Sequence, residues 1–359
     1  MESTTVYVHG IATHTPEHTY DQRHLKEIMV ELLGDTQEKR LQIERIYRGS
    51  AIETRHFVVD DDFIMNKLGM MTTKDRNEIF IREAKKLSLT AVEQLLSGLP
   101  SLDRSTITHI ITVSCTGFMA PGIDFHLMSE LNLKSSIHRF NIGFMGCYAA
   151  FPALKLARNI CLSDPEARVL VVTTELCSLH HQRVFEPDIV VANALFSDGV
   201  SATLVSASRV DSTGGKLALH GFDTQFIDDT EGEMAWSIGN KGFDLKLSAY
   251  VPRIIKKNIL QIVEPIFARN SLEKDAVDVW AIHPGGRAIL DEIRASLELP
   301  SNALAHSYEV LKEYGNMSSS TIMFLLERVL ADDEPGTVFA AGFGPGLTVE
   351  TGYLEKFAE

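Results

Sequence analysis

Residues 107–115, ITHIITVSC, form an apolar run that ends at Cys115, and residues 276–283, AVDVWAIH, form a second run that ends at His283. Short runs rich in β-branched residues and bounded by turn formers read as buried strands. After the first comes GFMGCYAAFPAL (143–154), a glycine turn and a helix start carrying Cys147, and then the strand-like Arg168–Thr173. After the second comes EYGNMSSSTI (313–322), a helix start carrying Asn316, and then the strand-like Thr337–Ala341. Cys115 and His283, Cys147 and Asn316, and Arg168 and Thr337 are separated by 168, 169 and 169 residues. One spacing held across half the chain indicates an internal duplication.

Strands alternating with helices in each half predict an α/β fold with mostly parallel sheets covered by helices. The halves run over 1–210 and 211–359, divided in the polar stretch Asp211–Gly215 and packed closely against each other. Repeat symmetry then carries the strand ends, Cys115 and His283, and the helix starts, Cys147 and Asn316, to one place. That place is the expected active site.

Composition narrows the function. At 359 residues and 45% hydrophobic, the chain can bury a large core. A formal net charge of -14 argues against nucleic-acid binding through a basic surface. No apolar run approaches the roughly 20 residues of a membrane span. Four cysteines, at 115, 147, 161 and 177, and a start without a secretory pattern predict free thiols in a reducing, cytoplasmic setting. Lys39, Arg40, Arg45, Arg48 and Arg55 make one basic island, which suits either a phosphorylated ligand or a solvated helix face.

The three focal residues suit acyl transfer. Cys147, opening an apolar helix from Tyr148 to Ile160, would sit at the positive end of the helix dipole, where thiolate is favoured. His283 before Pro284-Gly285-Gly286 would lower the thiol pKa further and donate to a carbonyl, or would simply bond a turn. Asn316 suits both a helix cap and an oxyanion donor, two competing uses of one side chain. Cys161, late in the same helix, is expected to be packing.

Cys147, His283 in HPGG, Asn316 in GNMSS, SCTGFMAPG (114–122), ALFSDG (194–199) and GFGPGLTVET (342–351) together resemble the type III polyketide synthases, the group of chalcone and stilbene synthases. The likeness spans nearly the whole chain. It implies a thiolase fold of two duplicated βα halves in an αβαβα arrangement, an obligate homodimer, and iterative decarboxylative condensation of malonyl-CoA onto an acyl-CoA starter. It implies neither an acyl carrier protein, nor a cofactor, nor a metal.

Carried over residue by residue, the resemblance makes Cys147 the nucleophile and His283 and Asn316 the stabilisers of enolate and oxyanion. Phe196 matches a gatekeeper between the CoA tunnel and the reaction cavity, whereas Leu245 replaces the second. Arg45 matches a CoA-phosphate contact, and Arg48 substitutes for a basic residue where Gly49 stands. Ser318 and Phe343 fall in the cavity-lining motifs, and Ala120, beside Met119, falls in a loop that reaches the partner subunit. Cys115 and Cys177 resemble bacterial tetrahydroxynaphthalene and alkylpyrone synthases, and Met234–Gly239 with Trp236 resembles the alkylpyrone and alkylresorcinol synthases that take fatty acyl starters. The competing expectations are a tetrahydroxynaphthalene synthase using malonyl-CoA alone, an initiating ketoacyl carrier-protein synthase, and a non-catalytic acyl-CoA-binding protein of the same fold.

Overall fold

Along the strand Arg168–Leu176, Leu170 and Val172 enter one apolar core while Val169 and Val171 enter another. Successive strand side chains point to opposite faces, so an apolar residue at every position means both faces are covered. The computed structural model describes residues 4–210 and 215–357. Among them are strands β1 (Tyr7–His14), β2 (His18–Asp21), β3 (Thr54–Phe57), β4 (His109–Ser114), β5 (His138–Gly143), β6 (Arg168–Leu176), β7 (Asp198–Ser206), β8 (Lys216–Phe226), β9 (Met234–Gly239), β10 (Gly242–Leu247), β11 (Val279–Ile282), β12 (Gly336–Gly344) and β13 (Thr348–Phe357). The α-helices are α1 (Gln22–Leu33), α2 (Gln37–Gly49), α3 (Thr73–Ser97), α4 (Ile123–Glu130), α5 (Ala150–Ser163), α6 (Pro187–Leu195), α7 (Val251–Asn270), α8 (Arg287–Ser296), α9 (Ala305–Tyr314) and α10 (Thr321–Ala331).

Nine strands join in the order β11-β12-β13-β8-β1-β7-β6-β4-β5. The halves meet at a narrow seam, Tyr7 opposite Ala218 and Val8 opposite Leu217. On either side of it the pairing repeats: β4 is parallel to β6 and β6 antiparallel to β7, as β11 is parallel to β12 and β12 antiparallel to β13. The sheet is therefore mixed rather than mostly parallel. Only Pro345–Leu347 separates β12 from β13, and a parallel return needs a crossover of a dozen or more residues.

Helices fill the spaces in layers. Phe80, Ala84 and Ala91 of α3 pack with Ile110, Leu170 and Ala202 on one outer face. In the middle, Phe151 and Leu154 of α5 and Ile322 and Leu326 of α10 pack between Val169 and Val171 of one half and Val338 and Ala340 of the other. On the far side, Ile255 and Ile259 of α7 and Leu290 of α8 cover Trp280, Phe339 and Ala341. The order is helix, strand, helix, strand, helix, which is the αβαβα arrangement. Strand β5 closes one end of the sheet and is exposed along most of its length.

The expected division at Asp211–Gly215 falls mostly on 211–214, outside the described residues. The four cysteines are buried and free. Among the described residues, no helix is long and apolar enough to cross a membrane, and no group of three or more His, Cys, Asp or Glu is placed to hold a metal ion.

Candidate active site

The two central helices begin later than their sequence patterns suggest, and the residues ahead of them build the site. The α5 helix starts at Ala150, so Cys147 lies in a lead-in of tight turns, Ala149 N–H to Gly146 C=O at 3.1 Å and Phe151 N–H to Tyr148 C=O at 2.9 Å. Gly146 adopts φ +85°, and a Cβ there would stand 2.5 Å from Pro345 Cδ in the β12–β13 turn. Only glycine fits that backbone without displacing the turn.

Asn316 precedes a short 3-10 segment, Ser318–Ser320, which leads into α10. Its Oδ1 accepts the Ser318 N–H at 2.9 Å, as a cap does. Its Nδ2 lies 3.3 Å from the Gly285 carbonyl and 3.9 Å from Cys147 Sγ. Capping and donation, competing uses in the sequence, are divided between two atoms. Preceding Gly315 takes φ +69°, where a Cβ would stand 2.9 Å from the Leu195 carbonyl. Asn316 is thereby bridged to Phe196 at the end of α6.

His283 follows β11, with its N–H bonded to the Ala341 carbonyl at 2.8 Å. His283 is 1% exposed, and among the described residues neither ring nitrogen has a hydrogen-bond partner. Buried polar groups are normally paired, so both nitrogens of this imidazole are free to bond a ligand that enters the cavity.

One cavity of about 390 Å³ holds Cys147, His283 and Asn316 together with Cys115, Cys177, Phe196, Trp236, Leu245, Ser318 and Phe343. Arg45 and Gly49 of α2 line it as well, whereas exposed Arg48 on the same helix does not. Ala120 is exposed on its loop and lines no part of this chain's cavity. Arg55 is fully buried: its Nε donates to Gln22 Oε1 at 2.9 Å and its Nη1 to the carbonyls of Asn193 at 2.6 Å and Phe196 at 2.9 Å. It braces the end of α6 and is unavailable to a ligand.

The electrostatics correct one expectation. Burial pushes the Cys147 thiol from 9.0 up to about 11, against hydrogen bonds from Ser318 and Asn316 that favour the thiolate. Burial likewise drives His283 from 6.5 down to about 3. Neither group charges readily alone, since desolvation penalises the ionised form. The lead-in turn also sets Cys147 ahead of the α-helical first turn, where the dipole acts most strongly. A proton passed from Cys147 to His283 would create both charges together, and their mutual attraction would offset part of the two desolvation penalties.

Behind the thiol lies a buried carboxyl that composition alone does not reveal. Glu175 of β6 accepts the Cys115 N–H at 3.0 Å, the Thr116 hydroxyl at 2.9 Å and the Ser319 hydroxyl, and burial still raises its pKa. Cys115 Sγ lies 3.1 Å from the Ser318 hydroxyl. Trp236 donates its indole N–H to the Cys115 carbonyl at 2.8 Å and stands edge-on to His180 and Phe243. It pairs directly with Leu245 across the β9–β10 ladder. With Cys177 and Phe196 these two separate the cavity from a void of about 20 Å³. Two lining residues not anticipated from sequence are Arg287, opening α8, and Asp188 of α6.

A thiolase fold with a thiol, an imidazole and a carboxamide around one apolar cavity defines the class: an acyltransferase of the condensing type. The chain belongs to the chalcone and stilbene synthase family, whose N-terminal domain matches residues 2–209 and whose C-terminal domain matches residues 218–357, and it is a type III polyketide synthase. It is 34% identical to an alpha-pyrone synthesis polyketide synthase-like protein, Pks18, of Mycobacterium tuberculosis, over 97% of this chain and 90% of that one. Among solved structures, it superimposes on the C-terminal type III polyketide synthase domain of Steely1, a type I/III hybrid from Dictyostelium, with a TM-score of 0.92 and 29% identity over 98% of this chain and 99% of that one. On PKS-I from the brown alga Ectocarpus siliculosus the TM-score is 0.91 with 30% identity, covering 99% of this chain and 100% of that one.

Proposed function

We propose that this enzyme primes Cys147 with a fatty acyl group from acyl-CoA, extends it with malonyl-CoA and cyclises the product to an alkylpyrone or alkylresorcinol. The observation that carries the reading is the convergence of Cys147, Asn316 and the orphaned His283 on a cavity otherwise walled by Phe196, Trp236, Leu245 and Phe343. Likeness to an alpha-pyrone synthesis polyketide synthase-like protein supports the product class.

The residues divide the chemistry as follows. Cys147 passes its proton to His283, and the thiolate attacks the starter carbonyl; CoA leaves with that proton and the acyl chain stays as a thioester. The His283 and Asn316 donors then hold the thioester oxygen of malonyl-CoA while CO2 departs and an enolate forms. The enolate carbon attacks the acyl carbonyl, Cys147 leaves as thiolate, and the longer chain, now on CoA, returns to Cys147 for the next round. Apolar walls exclude the water that would hydrolyse the thioester. The reaction as written calls on no carrier protein, metal or organic cofactor. Arg45 at the mouth would meet CoA phosphates. The exposed edge strand β5, flanked by exposed Phe118 and Phe125 and ending a sheet that a second copy could continue, supports a homodimer in which the Ala120 loop approaches the partner's cavity.

Intact-mass analysis after incubation with lauroyl-CoA tests the priming step. A gain of one lauroyl group on the Cys147 peptide is expected, and its absence, or its appearance on another residue, contradicts the reading. A second reading has its own observation. Trp236 and Leu245 close the cavity, which suits a malonyl-only chain folded to tetrahydroxynaphthalene, and product formation from malonyl-CoA alone decides for it. A non-catalytic acyl-CoA binder fits less well, because binding does not call for a buried imidazole without partners.

A further inference from the structure

The cavity that ends at Cys147 opens between two exposed arginines from opposite halves of the chain, Arg45 on α2 and Arg287 at the first position of α8. Its inner wall is apolar and its imidazole neutral, so these are the cations available along its length; Asp188 supplies one negative charge. The protein carries a formal net charge of -14, which repels a polyanion. A CoA thioester bears its charge on phosphates at the end remote from the reacting sulfur. With that sulfur at Cys147 and the pantetheine arm in the cavity, the phosphates must lie at the opening.

Arg45 makes no ion pair or hydrogen bond among the described residues. Arg287 touches Asp291 through its Nε alone, at 3.3 Å, which leaves both terminal nitrogens unengaged among the described residues. Asp291 does not depend on this contact. Its other oxygen accepts the Tyr308 hydroxyl at 2.6 Å and lies 3.9 Å from Arg294. Arg287 can therefore turn to a ligand without stranding a carboxylate. A guanidinium presents a planar fork matched to phosphate.

We propose that Arg287, acting opposite Arg45, binds the phosphate groups of CoA and is a positioning residue that holds starter and extender thioesters over Cys147. The inference rests on CoA thioesters being the substrates. It separates the two halves' contributions to binding: α2 supplies one arm and the start of α8, just after the HPGG turn that carries His283, supplies the other.

The test compares Arg287→Ala, Arg287→Glu and Arg287→Lys with the parent enzyme, using malonyl- and acyl-CoA and the matching N-acetylcysteamine thioesters, which lack phosphates. For Arg287→Ala, KM for the CoA thioesters should rise roughly five- to tenfold with kcat little changed. Arg287→Glu should be worse, Arg287→Lys intermediate, and the dependence of kcat/KM on salt should weaken in the first two. With the N-acetylcysteamine thioesters all forms should agree within about twofold. Unchanged CoA kinetics in Arg287→Glu would overturn the inference, as would an equal loss on both thioester classes, which would mean that Arg287 acts on the fold or the chemistry. A parent enzyme that consumes only the phosphate-free thioesters would instead overturn the reading of the substrates, and this inference with it.

Discussion

Replacing His283 with alanine should make Cys147 an unreactive thiol, and the structure says by how much. Burial places the thiol at about 11 instead of 9.0 when it must ionise alone. At pH 7 that lowers the thiolate population from about 1 in 100 to about 1 in 10,000, a hundredfold loss. In the parent enzyme the proton can pass to the imidazole, so reactivity at neutral pH does not wait for a solitary anion. In His283→Ala it must. The assay is the rate of iodoacetamide alkylation of the Cys147 peptide, followed by mass spectrometry from pH 6 to 11. The variant should react at pH 7 at least about a hundredfold more slowly than an ordinary thiol of pKa 9, and its rate should climb about tenfold per pH unit until about 11. Cys115 and Cys177, also buried with raised pKa values, should stay unlabelled throughout. A variant that labels at pH 7 as fast as the parent, or whose profile levels near pH 9, would refute both the burial argument and the proton transfer.

Asn316→Asp should keep the cap to the Ser318 N–H and the fold while abolishing condensation, because the donors facing Cys147 are gone; Asn316→Ala should in addition lose about 1 kcal/mol in denaturant unfolding. Arg55→Ala should destabilise by about 3 kcal/mol, leaving Gln22 and two carbonyls unpaired, while Arg48→Ala should stay within about 0.5 kcal/mol; urea melts of the two variants make the comparison. His9, His180 and His283 have pKa values lowered by burial to about 4, 3 and 3, so the unfolded chain binds more protons below pH 6.5 and their contribution to stability, full above 6.5, is lost as pH falls toward 3. Asp198, raised to about 7, acts in the opposite sense, holding a proton in the fold that the unfolded chain releases. Burial raises Glu175, Glu327 and Glu350 in the same sense as Asp198, but it also lowers His14, His56, His109 and His181; seven lowered histidines outnumber four raised carboxyls, and the urea midpoint should decline from pH 6.5 to 4. Trp236→Ala should join the cavity to the void behind it and move the product profile to longer acyl chains, read by mass spectrometry.

The repeat was legible because its signal is long-range and periodic: strand ends at Cys115 and His283, and helix approaches at Cys147 and Asn316, need only the order of elements. What composition misjudged depends on how backbone closes on backbone. The run toward His283 begins as a strand only at Val279, since Lys274–Ala276 forms a tight turn. Antiparallel pairing followed from a connection of three residues at Pro345–Leu347, a length that the glycines there hint at but do not settle. The basic island looked uniform in sequence, yet Arg55 is enclosed by carbonyls, Arg48 stands clear of the opening and Arg45 borders it, because a helix and the strand after it present successive residues to different surroundings. Arg287 was missed for the converse reason: it stands far along the chain from the basic island, and only the fold brings it to the same cavity as Arg45. The rise in the Cys147 pKa was invisible too, since it comes from side chains that bury the sulfur from distant parts of the chain.

Cys147, served by His283 and Asn316, should build a polyketide on an acyl-CoA starter. Product mass spectrometry from purified enzyme with malonyl-CoA and acetyl-, hexanoyl-, lauroyl- or palmitoyl-CoA, beside Cys147→Ala, tests it most directly. The expected products are alkylpyrones or alkylresorcinols whose masses track the starter supplied and which vanish in the variant. Products that ignore the starter, or that persist in Cys147→Ala, would contradict it.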